Sequence, residues 1–405
     1  MRVDFSPPFI DQSVIDEVVD TLKSGWITTG NKVKLLEFEI EKITGSHSVL
    51  CVNSWTSGAI MILRWLDLKQ GDEVIIPAYT YAATALAVMH AGATPVIVDV
   101  CDDFNISIEA IRKAITPRTK AIIPVDVAGW PCDYKEIMQL VNEKDIKSLY
   151  NPTSIVQQQL ARILVLVDAA HSFGAKYNGK SIGRDADITI FSLHAVKNIT
   201  TAEGGAICIN MPTPFDNRNL YIELRSMSMN CQSRDALSKY SAGFWKYDIT
   251  GFGMKINMPD VNAAIGLAQI NKFTELMEQR KKISNLYQKS LSECDWAILP
   301  LQNDEIKESS YHVFALRIKG ISENQRDQII SEISKKDIAT NVHYIPLPMF
   351  TFFKNEGFDI NNYPNSYKNY ASEISLPIYP QLTNDEIDFV IKTVKESYEK
   401  IVLNK

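Results

Sequence analysis

The chain has 405 residues, 45% of them hydrophobic and 22% charged, with a formal net charge of -6. Such values describe an ordinary globular chain long enough to bury a core without disulfides or a structural metal. The absence of any basic run argues against a nucleic-acid partner. No stretch reaches the roughly 18 apolar residues of a membrane span, and the N-terminus lacks an apolar signal core, so a cytoplasmic protein is expected.

From residue 47 onward the pattern alternates in chain order. "HSVLCVN" predicts a strand, "SGAIMILRWLDL" a helix, "DEVIIP" a strand and "TYAATALAVMHAG" a helix. "TPVIVDV" then predicts a strand, "SIEAIRKAIT" a helix and "KAIIPVDVAG" a strand. The apolar runs are short, nearly continuous and rich in Val and Ile, as in strands covered on both faces. An α/β chain with a large, mainly parallel sheet follows. The polar stretch between Asn142 and Arg162 is expected to be an insertion over the surface. Next come "ILVLVDAA", "ADITIFSL" and "GAICIN", three β runs close together that break the strict alternation. Beyond about Asp260 lie a long helical pattern, one further strand at "YHVFALRI" and a closing amphipathic helix at "NDEIDFVIKTVKESYEKI". The expected division is a large domain over 1–258 and a small α+β domain over 259–405. The six cysteines form no Cys-x-x-Cys pair, and no metal site is expected.

The polar residues at the predicted strand ends carry the chemistry, because open α/β sheets bind ligands outside the carboxyl ends of their strands. Asp168 closes an apolar run. Ser54, Thr56, Ser57 and Gly58 lead from a strand into a helix, where free N–H groups suit an anion. Tyr79 and Tyr81 follow a third strand, and Ser192, His194 and Lys197 follow a fourth. Each has an ordinary structural reading: a strand-end cap, a helix N-cap, a packing tyrosine, a snorkelling lysine. Together they fit pyridoxal phosphate. That cofactor needs its phosphate held, its ring stacked, its pyridine nitrogen paired with a carboxylate and a lysine for the Schiff base.

In these segments the sequence resembles the DegT/DnrJ family of nucleotide-sugar aminotransferases, which have the fold type I (aspartate-aminotransferase-like) architecture. "SGWITTG" at 24–30 is similar to that family's N-terminal substrate loop and "VNSWTSGAI" to its phosphate turn. "IPAYTYAATALAVMHAGATPVIVDV" is similar to its Pro-x-x-Thr-aromatic-x-x-Thr segment. "VDAAHSFGAKYNGKSIG" and "FSLHAVKNITTAEGGAI" match its two most specific motifs, and "NVHYIPLP" and "ISLPIYPQLTNDEI" its late segments. The resemblance implies that Lys197 is the Schiff-base lysine and that Asp168 pairs with the pyridinium nitrogen. It places His171 beside the cofactor ring, Tyr81 stacked on it, and Thr56, Ser57 and Ser192 at the phosphate. It implies a homodimer in which Lys255 reaches the neighbouring subunit's phosphate. Trp26, Thr28, Thr29, His343 and Tyr344 would contact substrate. Two departures stand out: Trp55 replaces a small residue in the phosphate turn, and Pro348 stands where many members have a second histidine.

The implied activity is transamination from L-glutamate to the keto group of a nucleotide-linked or other keto-sugar, with Lys197 as general base and acid. Three alternatives are weighed. A sugar dehydratase of the same fold would carry histidine in place of Lys197. A regulatory relative would have no reason to keep Lys197, Asp168 and Ser192 together. A nicotinamide oxidoreductase would need a Gly-x-Gly-x-x-Gly turn after the first strand, which is missing.

Overall fold

The computed structural model describes residues 1–233 and 246–404. Its centre is a seven-stranded sheet in the order β1-β9-β8-β5-β4-β2-β3. The strands are β1 (Ser48–Val52), β2 (Glu73–Pro77), β3 (Thr94–Val98), β4 (Thr119–Ile122), β5 (Leu164–Asp168), β8 (Ile188–Ser192) and β9 (Gly205–Ile209). The pairs β2/β3, β2/β4, β4/β5 and β5/β8 are parallel, and β9 runs antiparallel to both β1 and β8. β1, β2, β4, β5, β8 and β9 are buried along their whole length, which is why most of them read as nearly continuous apolar runs; β4, with the buried Lys120, is the exception. One core packs on each face: Trp55, Ile62 and Leu166 on one side, Leu36, Val165 and Phe191 on the other.

The three close β runs have a simple explanation. β5 and β8 pair in parallel, and the link between them is a short hairpin, β6 (Lys176–Tyr177) with β7 (Lys180–Ser181), rather than a helix. β11 (Lys307–Glu308) adds to this hairpin from the C-terminal part of the chain. A smaller antiparallel sheet joins β10 (Ala297–Ile298), β12 (Phe314–Ile318) and β13 (Glu373–Leu376). Its core includes Tyr287, Phe314, Ile329, Leu376 and Val390, together with Val3 from the N-terminus.

Helix Asp260–Ile270 lies against α1 (Gln12–Lys23) and α2 (Asn31–Thr44), with Ala263 and Leu267 in the large sheet's core. That packing puts the helix with the large layer, although the division expected from the sequence falls before it, at 258/259. The segment expected to be a surface insertion is mostly exposed and forms two short helices, Lys144–Leu149 and Ile155–Leu160. Gln157 is fully buried and donates to Leu66 O at 3.0 Å, which ties the segment to the far end of α3 (Trp55–Trp65). That end is remote from the strand termini where Ser54 begins the helix, so the segment does not border the site described next.

Candidate active site

Asp168 and Lys197 meet because their strands are neighbours. β5 ends in Asp168 and β8 in Ser192, and a loop tied back on itself carries Lys197. Thr201 N–H donates to Leu193 O at 2.8 Å and Lys197 N–H to His194 O at 2.9 Å. The buried Asn198 donates to Phe173 O and Ser310 O. A tight loop anchored on both flanks of the lysine holds the amine over the sheet end. Gly205 opens β9 where a Cβ would stand 2.7 Å from Ser54 C, so only glycine lets β9 pass the phosphate-type turn.

The resulting cavity, about 630 Å³, is lined by Ser54, Trp55, Thr56, Asp168, Ser192 and Lys197 on the large-sheet side and by His343 and Tyr344 opposite. Ser54 caps α3, accepting from Ser57 N–H at 3.1 Å. This leaves the first N–H groups of the helix, at Trp55 and Thr56, without intrahelical acceptors. Ser57 itself is set back: its hydroxyl pairs with that of Ser54 at 2.8 Å. Trp55 is buried and forms part of the wall.

The Asp168 carboxylate accepts from Thr84 Oγ1 at 2.9 Å and from Ala170 N–H at 3.2 Å, and it makes no ion pair among the described residues. Burial pushes its pKa up to about 7, against the pull of those two donors and of Lys197. The Lys197 amine likewise has no hydrogen-bond or ion-pair partner among the described residues, and burial lowers it to about 8, with Asp168 opposing. A buried acid with lone pairs to spare and an unpaired amine of lowered proton affinity share one cavity with a helix start fit for an anion. The donor set matches pyridoxal phosphate: a carboxylate for the ring nitrogen, an amine for the aldehyde, and N–H and hydroxyl groups for the phosphate.

The remaining expected residues fall into two groups. Tyr81 lines the cavity with its ring exposed, 5.9 Å from that of Tyr344 and tilted by 43°. Tyr344 accepts or donates at 2.5 Å to Nε2 of the buried His171, which stands behind the lining rather than in it. His343 bonds through Nδ1 to Ser375 Oγ at 2.8 Å, and burial with Lys197 nearby lowers it to about 3. By contrast, Trp26, Thr28 and Thr29 do not line their own chain's cavity. Thr29 Oγ1 donates to Met258 O, and Asp260 N–H donates to Thr28 O. The exposed Lys255 lies on the same stretch, its Nζ donating to Asn257 Oδ1 at 2.6 Å. These four residues form a patch separate from the cavity lining.

Sequence reasoning missed Asn341, Ile345 and Phe350 in the lining, which a loop between helix Glu323–Ser334 and helix Thr351–Asn355 delivers. It also missed Glu203, which faces His194 at 3.6 Å beside the cavity. Pro348 is buried in a 3-10 turn, Leu347–Met349, and is not part of the lining. Among the described residues no helix is long and apolar enough to cross a membrane, and no cluster of His, Cys, Asp and Glu could hold a metal ion.

The profile of the DegT/DnrJ/EryC1/StrS aminotransferase family matches residues 8–151 and 156–395. The chain is 31% identical over 397 residues to the spore coat polysaccharide biosynthesis protein SpsC of Bacillus subtilis, covering 97% of this chain and 96% of that one. Among solved structures it is similar to the putative sugar aminotransferase Spr1654 from Streptococcus pneumoniae in its PMP form. There the TM-score is 0.95 at 41% identity, over 99% of this chain and 100% of that chain. The PLP form of the same protein gives 0.94 at 40% identity, again over 99% and 100%. Helicobacter pylori PseC shares the fold, with a TM-score of 0.85 at 24% identity, over 99% and 100%.

Proposed function

The chain belongs to the DegT/DnrJ/EryC1/StrS aminotransferase family, pyridoxal-phosphate-dependent sugar aminotransferases of fold type I, and from that premise we propose its substrates and site roles. The amino donor is L-glutamate and the acceptor is the keto group of a nucleotide-linked deoxysugar, made for a surface polysaccharide or similar product. The relatives' association with sugar and polysaccharide chemistry supports the acceptor class.

When bound, pyridoxal phosphate supplies an aldehyde for an amine and a ring that withdraws electrons from the carbon bearing the nitrogen. The chain's residues do the rest. Asp168 holds a proton on the ring nitrogen by pairing with its charge, a role for which a buried carboxylate with no ion-pair partner of its own is suited. The Lys197 amine takes and returns a proton at Nζ. Lowered to about 8, it changes charge close to neutral pH, where acid–base catalysis is most effective. Thr56, Ser57 and Ser192 hold the phosphate at the start of α3, while Tyr81 and His171 flank the ring. His343 and Tyr344 orient the sugar, and Trp55, Ile345 and Phe350 keep water out. In a homodimer, Lys255 and the Trp26–Thr29 loop serve the partner's cavity, which accounts for their sitting together away from their own.

The observation that carries this reading is the meeting of Asp168 and Lys197 at adjacent strand ends in one cavity. The test is a panel of keto-sugars, with and without an attached nucleotide, assayed for 2-oxoglutarate release from L-glutamate. Turnover confined to nucleotide-linked sugars is expected. Turnover only with free keto-sugars, or only with another amino donor, overturns the acceptor or donor assignment respectively.

A further inference from the structure

A second cavity, of about 290 Å³, lies between the large layer and the small sheet and has no lining residue in common with the first. Its walls are the turn after β3, the turn that carries Ala128 and Trp130, and β12 with the segment that follows β10. Two opposite charges line it without pairing. Arg317, on β12, is half-buried; its Nη1 donates to Asn369 Oδ1 and its guanidinium lies 4.9 Å from the centre of the Phe104 ring. Asp103, also half-buried, accepts from Asn105 N–H at 3.1 Å. Neither has an ion-pair partner among the described residues. Burial pushes the guanidinium down and the carboxyl up from their ordinary ranges, the directions that uncompensated charges take.

The neighbouring charges are already matched: Asp102 with Lys368 at 3.0 Å, and Lys307 with Asp133 at 2.7 Å. A third group in the lining is left over. Trp130 is buried, and its indole N–H has no acceptor in the protein, although buried donors are nearly always paired. The backbone around the cavity is strained as well. Phe104, Ala128 and Tyr311 all line it with positive φ, at 72°, 58° and 53°. Residues other than glycine rarely take this conformation, bulky ones least of all, and such strain gathers where a ligand is clamped.

The charge pattern selects the ligand. An anion alone would suit Arg317 but meet Asp103, and a cation alone would do the reverse. A molecule that carries both charges satisfies both groups, and hydrogen bonds between ionised partners are the stronger kind. The rest of the wall, Leu299, Leu301 and Val313 among it, is apolar and has no use for a third charge. We infer that this cavity binds a zwitterionic α-amino acid with an apolar side chain, its carboxylate on Arg317, its ammonium on Asp103 and its side chain against Leu299 and Leu301. The Trp130 N–H is a further donor for the carboxylate. The site is distinct from the one where the amino donor meets Lys197, and it does not depend on which donor or acceptor the enzyme uses.

The test is isothermal titration of L-leucine into the holoenzyme after borohydride reduction, which leaves no aldehyde in the active site for an amine to engage. Saturable binding of one L-leucine per chain is expected. 4-Methylpentanoate, which lacks the ammonium, and 3-methylbutylamine, which lacks the carboxylate, should each bind at least about tenfold more weakly, the loss expected from one hydrogen bond to a charged group. Asp103→Asn and Arg317→Gln should weaken L-leucine by a similar factor. Circular dichroism shows whether each variant is folded, and Asp103→Asn, in a turn, keeps the test open if Arg317→Gln is not. Absence of saturable heat with L-leucine at millimolar concentration overturns the inference. So does 4-methylpentanoate or the amine binding as tightly as L-leucine, or a folded Asp103→Asn enzyme that binds L-leucine like wild type.

Discussion

The two walls of the cavity differ in charge. The large-sheet wall brings together a carboxylate and an amine, Asp168 and Lys197, each without an ion-pair partner from the protein. The opposite wall and the residues behind it offer His343 and Tyr344, with His171 and His312 close by, and all four are uncharged at neutral pH. Burial, with Lys197 near, drives the three imidazoles to the neutral form, and burial keeps the phenol protonated. One cation held in the cavity makes further cations around it costly, so the opposite wall is left to work through hydrogen bonds. Under the proposed roles, chemistry and recognition are thereby divided between the walls.

The division is broken most severely from the large-sheet side. Lys197→Ala should lower transamination by at least about 10³-fold, because it removes both the nucleophile and the proton carrier. Asp168→Asn, which keeps the shape but not the charge, should cost about 10²- to 10³-fold in kcat. Steady-state assays of 2-oxoglutarate release check both, and a loss under tenfold in either variant contradicts the assigned roles.

The far ends of the same two strands sharpen the comparison, because they carry a buried ion pair that is satisfied. Arg162 bonds Asp187 through both guanidinium nitrogens at 2.6 and 2.7 Å, and Val165 N–H donates to the same carboxylate at 2.9 Å. Asp187→Ala strands a buried guanidinium and should destabilise the protein by about 3–5 kcal/mol, read from denaturant midpoints. The visible band of the folded fraction should be unchanged. A band altered as strongly as in Asp168→Asn would show that the two ends are not separable.

The smallest effect is one of pH. Only the neutral amine of Lys197 attacks an aldehyde. Its pKa, lowered to about 8, means that the reactive fraction rises as pH climbs toward 8 and levels off above it. Capture of added pyridoxal phosphate by the apoenzyme should quicken about tenfold per pH unit below that point. A rate still rising steeply at pH 10 would mean that the amine behaves as an ordinary exposed lysine.

Much of this was legible along the chain. The strand ends were readable because a strand covered on both faces is a nearly unbroken apolar run, so the first polar residue after it, Asp168 or Ser192, marks the edge where ligands bind. Lys197 was conspicuous as a cation in the tight loop shortly after such a run. The loop at 341–350 was less legible. His343 and Tyr344 were reached through the resemblance, but Asn341, Ile345 and Phe350 were not, because their place depends on how the small sheet docks. That Ser54 rather than Ser57 caps the helix was not legible, because a cap is settled by side-chain geometry. The stretch between Asn142 and Arg162 read as surface from its polarity, yet Gln157 is buried there with its amide satisfied by a carbonyl.

Local order along the chain determined the layered α/β architecture, the strand-end chemistry and the identity of the lysine and its acid, since each depends on residues within a few positions of one another. Only the tertiary structure decided the antiparallel course of β9, the helix that packs with the large layer, and the separation of Trp26, Thr28, Thr29 and Lys255 from their own cavity. It alone joined His171 to Ala128 and Tyr344, which adjoin it only in the folded chain. Periodicity and spacing record what neighbours in sequence do; a hydrogen bond between distant segments records which of them folding has brought within about 3 Å.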